Sequence, residues 1–218
     1  MERGMLSRKG TTRKATSRQE AFGQSAIMAF RWLVLIGCSA PAVWLTWQWF
    51  FGDLGAVPGE AVVHVTGKTG LTLLLLTIAF SPAFRFTGWV GFMAARRQIG
   101  LWAFFWLVAH MLAWMGLDQY WDWPWIRREM IELPYIRYGV AALVLLVPLA
   151  LTSFRRVQKA MGYRAWHWLH RLIYIAGGLG VIHFWVLTRA DYLEPLLYAT
   201  VLAGLVVFRI VDAMLHRQ

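Results

Sequence analysis

The stretch Trp166–Phe184, WHWLHRLIYIAGGLGVIHF, has the apolarity and length of a membrane-spanning helix, yet it carries His167, His170 and His183. A helix needs about 20 mostly apolar residues to cross the hydrocarbon core of a bilayer. Ionisable side chains at that depth are costly and usually mark function. This one segment therefore raises both the question of fold and the question of what the histidines hold.

The rest of the chain agrees with a membrane setting. Of its 218 residues 59% are hydrophobic and only 15% charged, with 14 Trp, and the mean hydropathy is +0.49. Such a composition is too apolar for a soluble domain of this length. The single cysteine, Cys38, excludes an internal disulfide, a cysteine-ligated zinc site, an iron–sulfur cluster and a covalently attached haem. Any haem here must be held without covalent attachment.

Working outward from the quoted segment, six apolar stretches follow one another: Phe30–Phe51, Thr66–Phe84, Gln98–Leu117, Tyr135–Phe154, Trp166–Leu187 and Pro195–Leu215. Continuous apolar runs of this length specify helices rather than the alternating strands of a barrel. Pro82 is expected to help end the second helix, Pro195 to sit in the first turn of the sixth, and Pro148 to kink the fourth. The expected architecture is an all-α, six-helix transmembrane bundle. Residues 30–215 form its single domain, and residues 1–29 form a basic tail expected to be disordered.

Lysine and arginine divide unequally between the two sides. With the N-terminus inside, the inner segments hold 17 of the 22 basic residues and the outer loops five: Lys68, Arg127, Arg128, Arg137 and Arg189. By the positive-inside tendency both termini are then cytoplasmic. The formal charge of +11 reflects topology and contact with anionic lipid, with no nucleic-acid partner required. The basic start followed by an apolar run superficially resembles a signal peptide, and LIGC (Leu35–Cys38) a lipoprotein processing site. The apolar run continues through Phe51, longer than a signal core, so it reads as an uncleaved first helix.

His170 and His183 are 13 positions apart, about 20 Å of helical rise, and cannot share one metal atom. His110, in WLVAHML (Trp106–Leu112), lies seven residues from the outer end of the third helix, and His183 four from the outer end of the fifth. Their depths agree within roughly 5 Å. Two histidines facing each other at one level can clamp a haem iron from both sides. The plainer alternative is a pair of buried neutral imidazoles bonded to backbone or hydroxyl groups; the matched depth favours haem.

LHRLIYIAGGLGVIH (Leu169–His183) resembles the fifth helix of the MsrQ (formerly YedZ) family, the haem-binding membrane subunits of the periplasmic methionine sulfoxide reductase system. HVTGKTGLTLLLLTIAFSP (His64–Pro82) and RRQIGLWAFFWLVAH (Arg96–His110) are similar to its second and third helices. LTSFRRVQKAMGYRAWHWLH (Leu151–His170) is similar to the loop between its fourth and fifth. The resemblance covers roughly residues 60–210 and extends to the wider ferric-reductase-like transmembrane group. It implies a multi-pass protein of the bacterial inner membrane that binds b-type haem, one or two, through His110, His183 and His170. It also implies an association with FMN and electrons drawn from a cytoplasmic flavin reductase or the quinone pool. Those electrons would pass to a periplasmic molybdopterin-containing catalytic subunit that reduces methionine sulfoxide in proteins. The chain itself would be a non-catalytic carrier within that oxidoreductase system.

Several further residues have two readings. His170 has no second histidine at its depth on another helix, and His167, one turn away, is a poor ligand from the opposite side. His64 could meet a haem propionate or a partner at the outer surface, or be an ordinary surface residue. Arg171, with Arg96 and Arg97, could pair with propionates or an FMN phosphate, although a positive-inside loop would carry the latter two in any case. Trp121, Trp123 and Trp125 suit an interfacial aromatic belt, and Gly177–Gly180 a close approach by a helix or a flat macrocycle. The alternatives from other classes are a different b-type membrane ferric or quinol reductase, or a non-redox membrane protein of metal transport or assembly.

Overall fold

The computed structural model describes the backbone of residues 3–215 and the side chains from residue 23 to 215. Among these residues there are nine α-helices and no strand: α1 (Arg3–Phe51), α2 (Pro58–Thr87), α3 (Gly91–Ala113), α4 (Trp123–Glu132), α5 (Pro134–Leu151), α6 (Arg155–Met161), α7 (Tyr163–Leu169), α8 (Leu172–Leu187) and α9 (Leu193–Leu215). Six stretches are long and apolar enough to cross a membrane: Gly23–Phe51, Pro58–Thr87, Gly91–Asp118, Pro134–Leu151, Tyr163–Leu187 and Leu193–Leu215. The six-span reading of the sequence holds.

Local chemistry sets the ends. Pro58 and Pro134 open α2 and α5 at their first turns, where a missing N–H costs nothing. Asp122 caps α4 by accepting from the Trp125 N–H at 3.1 Å. The α2 helix ends on Gly88, whose φ of 68° lets its N–H close back on the Phe84 carbonyl.

Two features differ from the sequence-based expectation. Pro82 does not end the second helix; it lies inside α2, which continues to Thr87. The fifth span is not one helix: α7 and α8 are separated at His170 and Arg171. The backbone of α1 extends back to Arg3. His216 lies outside the described residues. In addition, α3 passes directly into a π-helical turn over Trp114–Asp118, four residues beyond His110.

Packing organises the spans into two tight helix pairs, α2 with α3 and α5 with α8, which also touch each other through α3·α5 and α2·α8. The core follows α2: Leu71, Leu73, Leu74, Leu75, Ile78 and Phe80 are all buried, together with Ala103 and Trp106 of α3 and Ala176 of α8. About 44% of the most apolar window of α2 is inside the protein, against 6% for the first span and none for α9, so those two face outward. α1 is fastened by the Trp106 Nε1–H donating to the Cys38 carbonyl at 2.9 Å. α9 is fastened by the Thr72–Tyr198 hydroxyl pair at 2.7 Å and by the Arg85–Asp212 ion pair.

Candidate functional site

At the end of the bundle where α2 and α5 begin, the two helix pairs enclose a cavity of about 300 Å³, at the small end of the range for ligand pockets. Its walls are apolar, including Leu71, Leu107, Val140 and Leu143, and small residues Ala176 and Gly180 of α8 leave room against the helix backbone. His110 enters from α3 and His183 from α8. Their ring centroids are 6.1 Å apart and nearly perpendicular, at 77°. The depth match counted from the sequence therefore becomes a real juxtaposition.

Both rings are fixed by the backbone. Nδ1 of His110 lies 2.9 Å from the Val63 carbonyl of α2, and Nδ1 of His183 lies 2.6 Å from the Tyr135 carbonyl of α5. A carbonyl can only accept, so each Nδ1 carries the hydrogen and donates. Each Nε2, on the far edge of its ring, then keeps a free lone pair in the neutral imidazole. That tautomer is the one suited to metal ligation, with the other nitrogen held by a second group. The spacing fits a metal between the rings. Two metal–nitrogen bonds of about 2 Å each, with roughly 1 Å from each nitrogen to its ring centre, give about 6 Å.

This donor set suits haem better than a bare ion. Among the described residues no three His, Cys, Asp or Glu side chains converge to hold a metal. A porphyrin supplies four equatorial nitrogens itself and asks the protein only for axial ligands. Two imidazoles across an apolar cavity meet that requirement.

The cavity mouth is polar. His64 lines it, 3.5 Å from Glu60 one turn back. Lys68 lines it as well, paired with Glu194 of α9, and Asp118 and Glu129 complete the rim. Lys68 was legible in the sequence only as an outer-loop charge; its place at the rim follows from the first turns of α2 lying beside α9. Val63 and Tyr135 could not be found from side-chain chemistry, since they act through their carbonyls.

The other histidines lie elsewhere. His170 is at the opposite end, at the α7–α8 break, stacked on Trp166 with centroids 3.9 Å apart. Its Nδ1–H donates to the Trp166 carbonyl at 3.0 Å, and Trp166 in turn donates to the Thr152 carbonyl. Among the described residues His170 Nε2 is buried without a hydrogen-bond partner, and buried nitrogens seldom stay so. His167 is exposed beside Tyr163, with ring centroids 4.0 Å apart. Arg171 is exposed with its guanidinium 4.0 Å from the centre of the Trp168 ring, so the structure does not bring it to the cavity. Arg96 reaches the Thr77 carbonyl at 3.2 Å.

Residues 66–181 match the family described as the ferric reductase like transmembrane component. The chain is 42% identical over 185 residues to the protein-methionine-sulfoxide reductase heme-binding subunit MsrQ of Rhodospirillum rubrum, covering 85% of this chain and 89% of that one. It is 38% identical over 178 residues to the MsrQ of Caulobacter vibrioides, covering 82% and 85%. With the MsrQ of Xanthomonas axonopodis pv. citri the identity is 40% over 200 residues, covering 89% and 91%.

Proposed function

The chain belongs to the ferric-reductase-like transmembrane family and, within it, to the MsrQ haem-binding subunits, and on that premise we propose how its own residues carry electrons. It is a membrane haem-binding electron-transfer subunit of a protein-methionine-sulfoxide reductase. His110 and His183, each through Nε2, would hold a b-type haem in the cavity between the two helix pairs. When bound, the haem supplies reversible one-electron chemistry. The protein fixes both imidazoles, keeps water out with the apolar wall, and offers Lys68 and His64 at the rim to the propionates.

The cavity end faces the periplasm, as the 17-to-5 division of basic residues favours, and both termini are cytoplasmic. Electrons leave from the cavity mouth to a molybdopterin-containing catalytic subunit. They arrive at the His170 end from a cytoplasmic flavin reductase or the quinone pool. An inner cofactor there, a second haem or FMN, would be held by His170 on one side only, with Arg171 and the arginines of α6 near its anionic groups.

The observation that carries this reading is the pair of imidazoles in one cavity, both donating from Nδ1 to backbone carbonyls. The test is spectroscopic. The purified chain should hold a low-spin, six-coordinate b-type haem, and His110→Ala and His183→Ala should each abolish that same signal. A well-folded but colourless protein, or one variant that keeps a bis-imidazole spectrum, would overturn it.

A further inference from the structure

The two imidazoles are held by the same backbone arrangement, repeated on two helices. On α2 the acceptor is the Val63 carbonyl and the residue four places on is Gly67; on α5 the acceptor is the Tyr135 carbonyl and the residue four places on is Gly139. In an α-helix a carbonyl already accepts from the N–H four residues later, so the imidazole must take its second lone pair. A ring that reaches this lone pair lies over the helix at residue i+4, where a side chain would otherwise stand. A Cβ on Gly67 would come within 2.9 Å of both Nδ1 and Cε1 of His110. One on Gly139 would lie 3.0 Å from Nδ1 and 3.2 Å from Cε1 of His183. Glycines elsewhere in these spans face other groups: Gly70 meets Leu107, Gly100 meets Thr77 and Gly180 meets Leu71.

Resting on His110 and His183 as the axial ligands, we propose that Gly67 and Gly139 are paired positioning residues. By leaving each ring room against its carbonyl, they fix the Nε2-ligating tautomer and tune the donor strength of both ligands. A hydrogen bond from Nδ1 makes the imidazole a stronger donor through Nε2. A stronger donor favours ferric over ferrous iron and lowers the midpoint potential, the hydrogen-bonding lever available to haem proteins. Alanine at either position pushes the ring off its carbonyl. It does not weaken the helix, because alanine is the better helix former. The effect is thereby confined to the histidine.

The experiment uses the full-length purified chain with Gly67→Ala, Gly139→Ala and, as a packing control, Gly100→Ala, whose new Cβ would meet Thr77 at 3.3 Å. Haem retention, midpoint potential and the low-spin electron paramagnetic resonance g-values are read for each. Gly67→Ala and Gly139→Ala should raise the potential, shift the g-values and weaken haem retention by about 10- to 100-fold, the usual cost of losing such a supporting contact. Gly67→Ala should show the larger change, and Gly100→Ala should match the parent. If Gly67→Ala retains no haem at all, Gly139→Ala, with the looser contact, carries the test. Parent-like potentials and g-values in both variants would overturn the proposal, as would equal shifts in Gly100→Ala. A low-spin signal that survives His110→Ala and His183→Ala would instead remove the ligand assignment on which it rests.

Discussion

Replacing His170 with alanine separates a structural histidine from one that serves a cofactor. In the fold the change removes two favourable contacts. The Nδ1–H bond to the Trp166 carbonyl contributes about 1 kcal/mol net, and the stack on Trp166 about 0.5–1.5 kcal/mol. The change also removes Nε2, buried and without a partner, whose isolation costs about 1–3 kcal/mol. In the protein without an inner cofactor gains and losses nearly offset, so the stability change there should fall within about 1 kcal/mol, or roughly 2–4 °C in melting temperature. If Nε2 holds an inner cofactor, function should fall far more than stability. The assay is thermal unfolding of the detergent-purified protein, alongside reduction of the His110–His183 haem by a donor confined to the cytoplasmic face of proteoliposomes. A nearly unchanged melting temperature, an intact low-spin signal and loss of reduction from that face are expected. A large fall in melting temperature with reduction undiminished would make His170 a structural residue, and no change in either quantity would refute the cofactor role as well.

Other expectations follow from the same geometry. A reporter active only in the periplasm should work when fused within residues 118–131 and fail at the C-terminus; the reverse would invert every assignment of sides. His64→Ala should alter the haem spectrum much less than His110→Ala while slowing transfer to the catalytic partner, as stopped-flow oxidation by that partner would read. A large spectral change would instead place His64 at the iron. During purification the inner cofactor, held from one side, should be lost before the outer haem, and parallel quantitation of haem and flavin across the steps checks the order. Two equally tight, spectroscopically identical bis-histidine haems would refute that asymmetry and point to His167 as the missing ligand.

Much of the architecture is written in the chain itself. A bilayer demands a helix of about 20 apolar residues for each crossing, so six such runs fix six spans whatever their packing. Counting residues from the helix ends even places His110 and His183 at one depth, because rise per residue is constant. Tertiary structure alone decided the rest. Helices that are apolar nearly all round carry no stripe to say which neighbour they face. Hence α2 as the core helix, and the pairing of α2 with α3 and α5 with α8, appear only once packed. The break at His170 replaces a helix that apolarity alone would have continued. The groups that orient the two imidazoles are the carbonyls of Val63 and Tyr135. A carbonyl is common to every residue, so the sequence has no letter for it; only the approach of one helix to another selects which two are used.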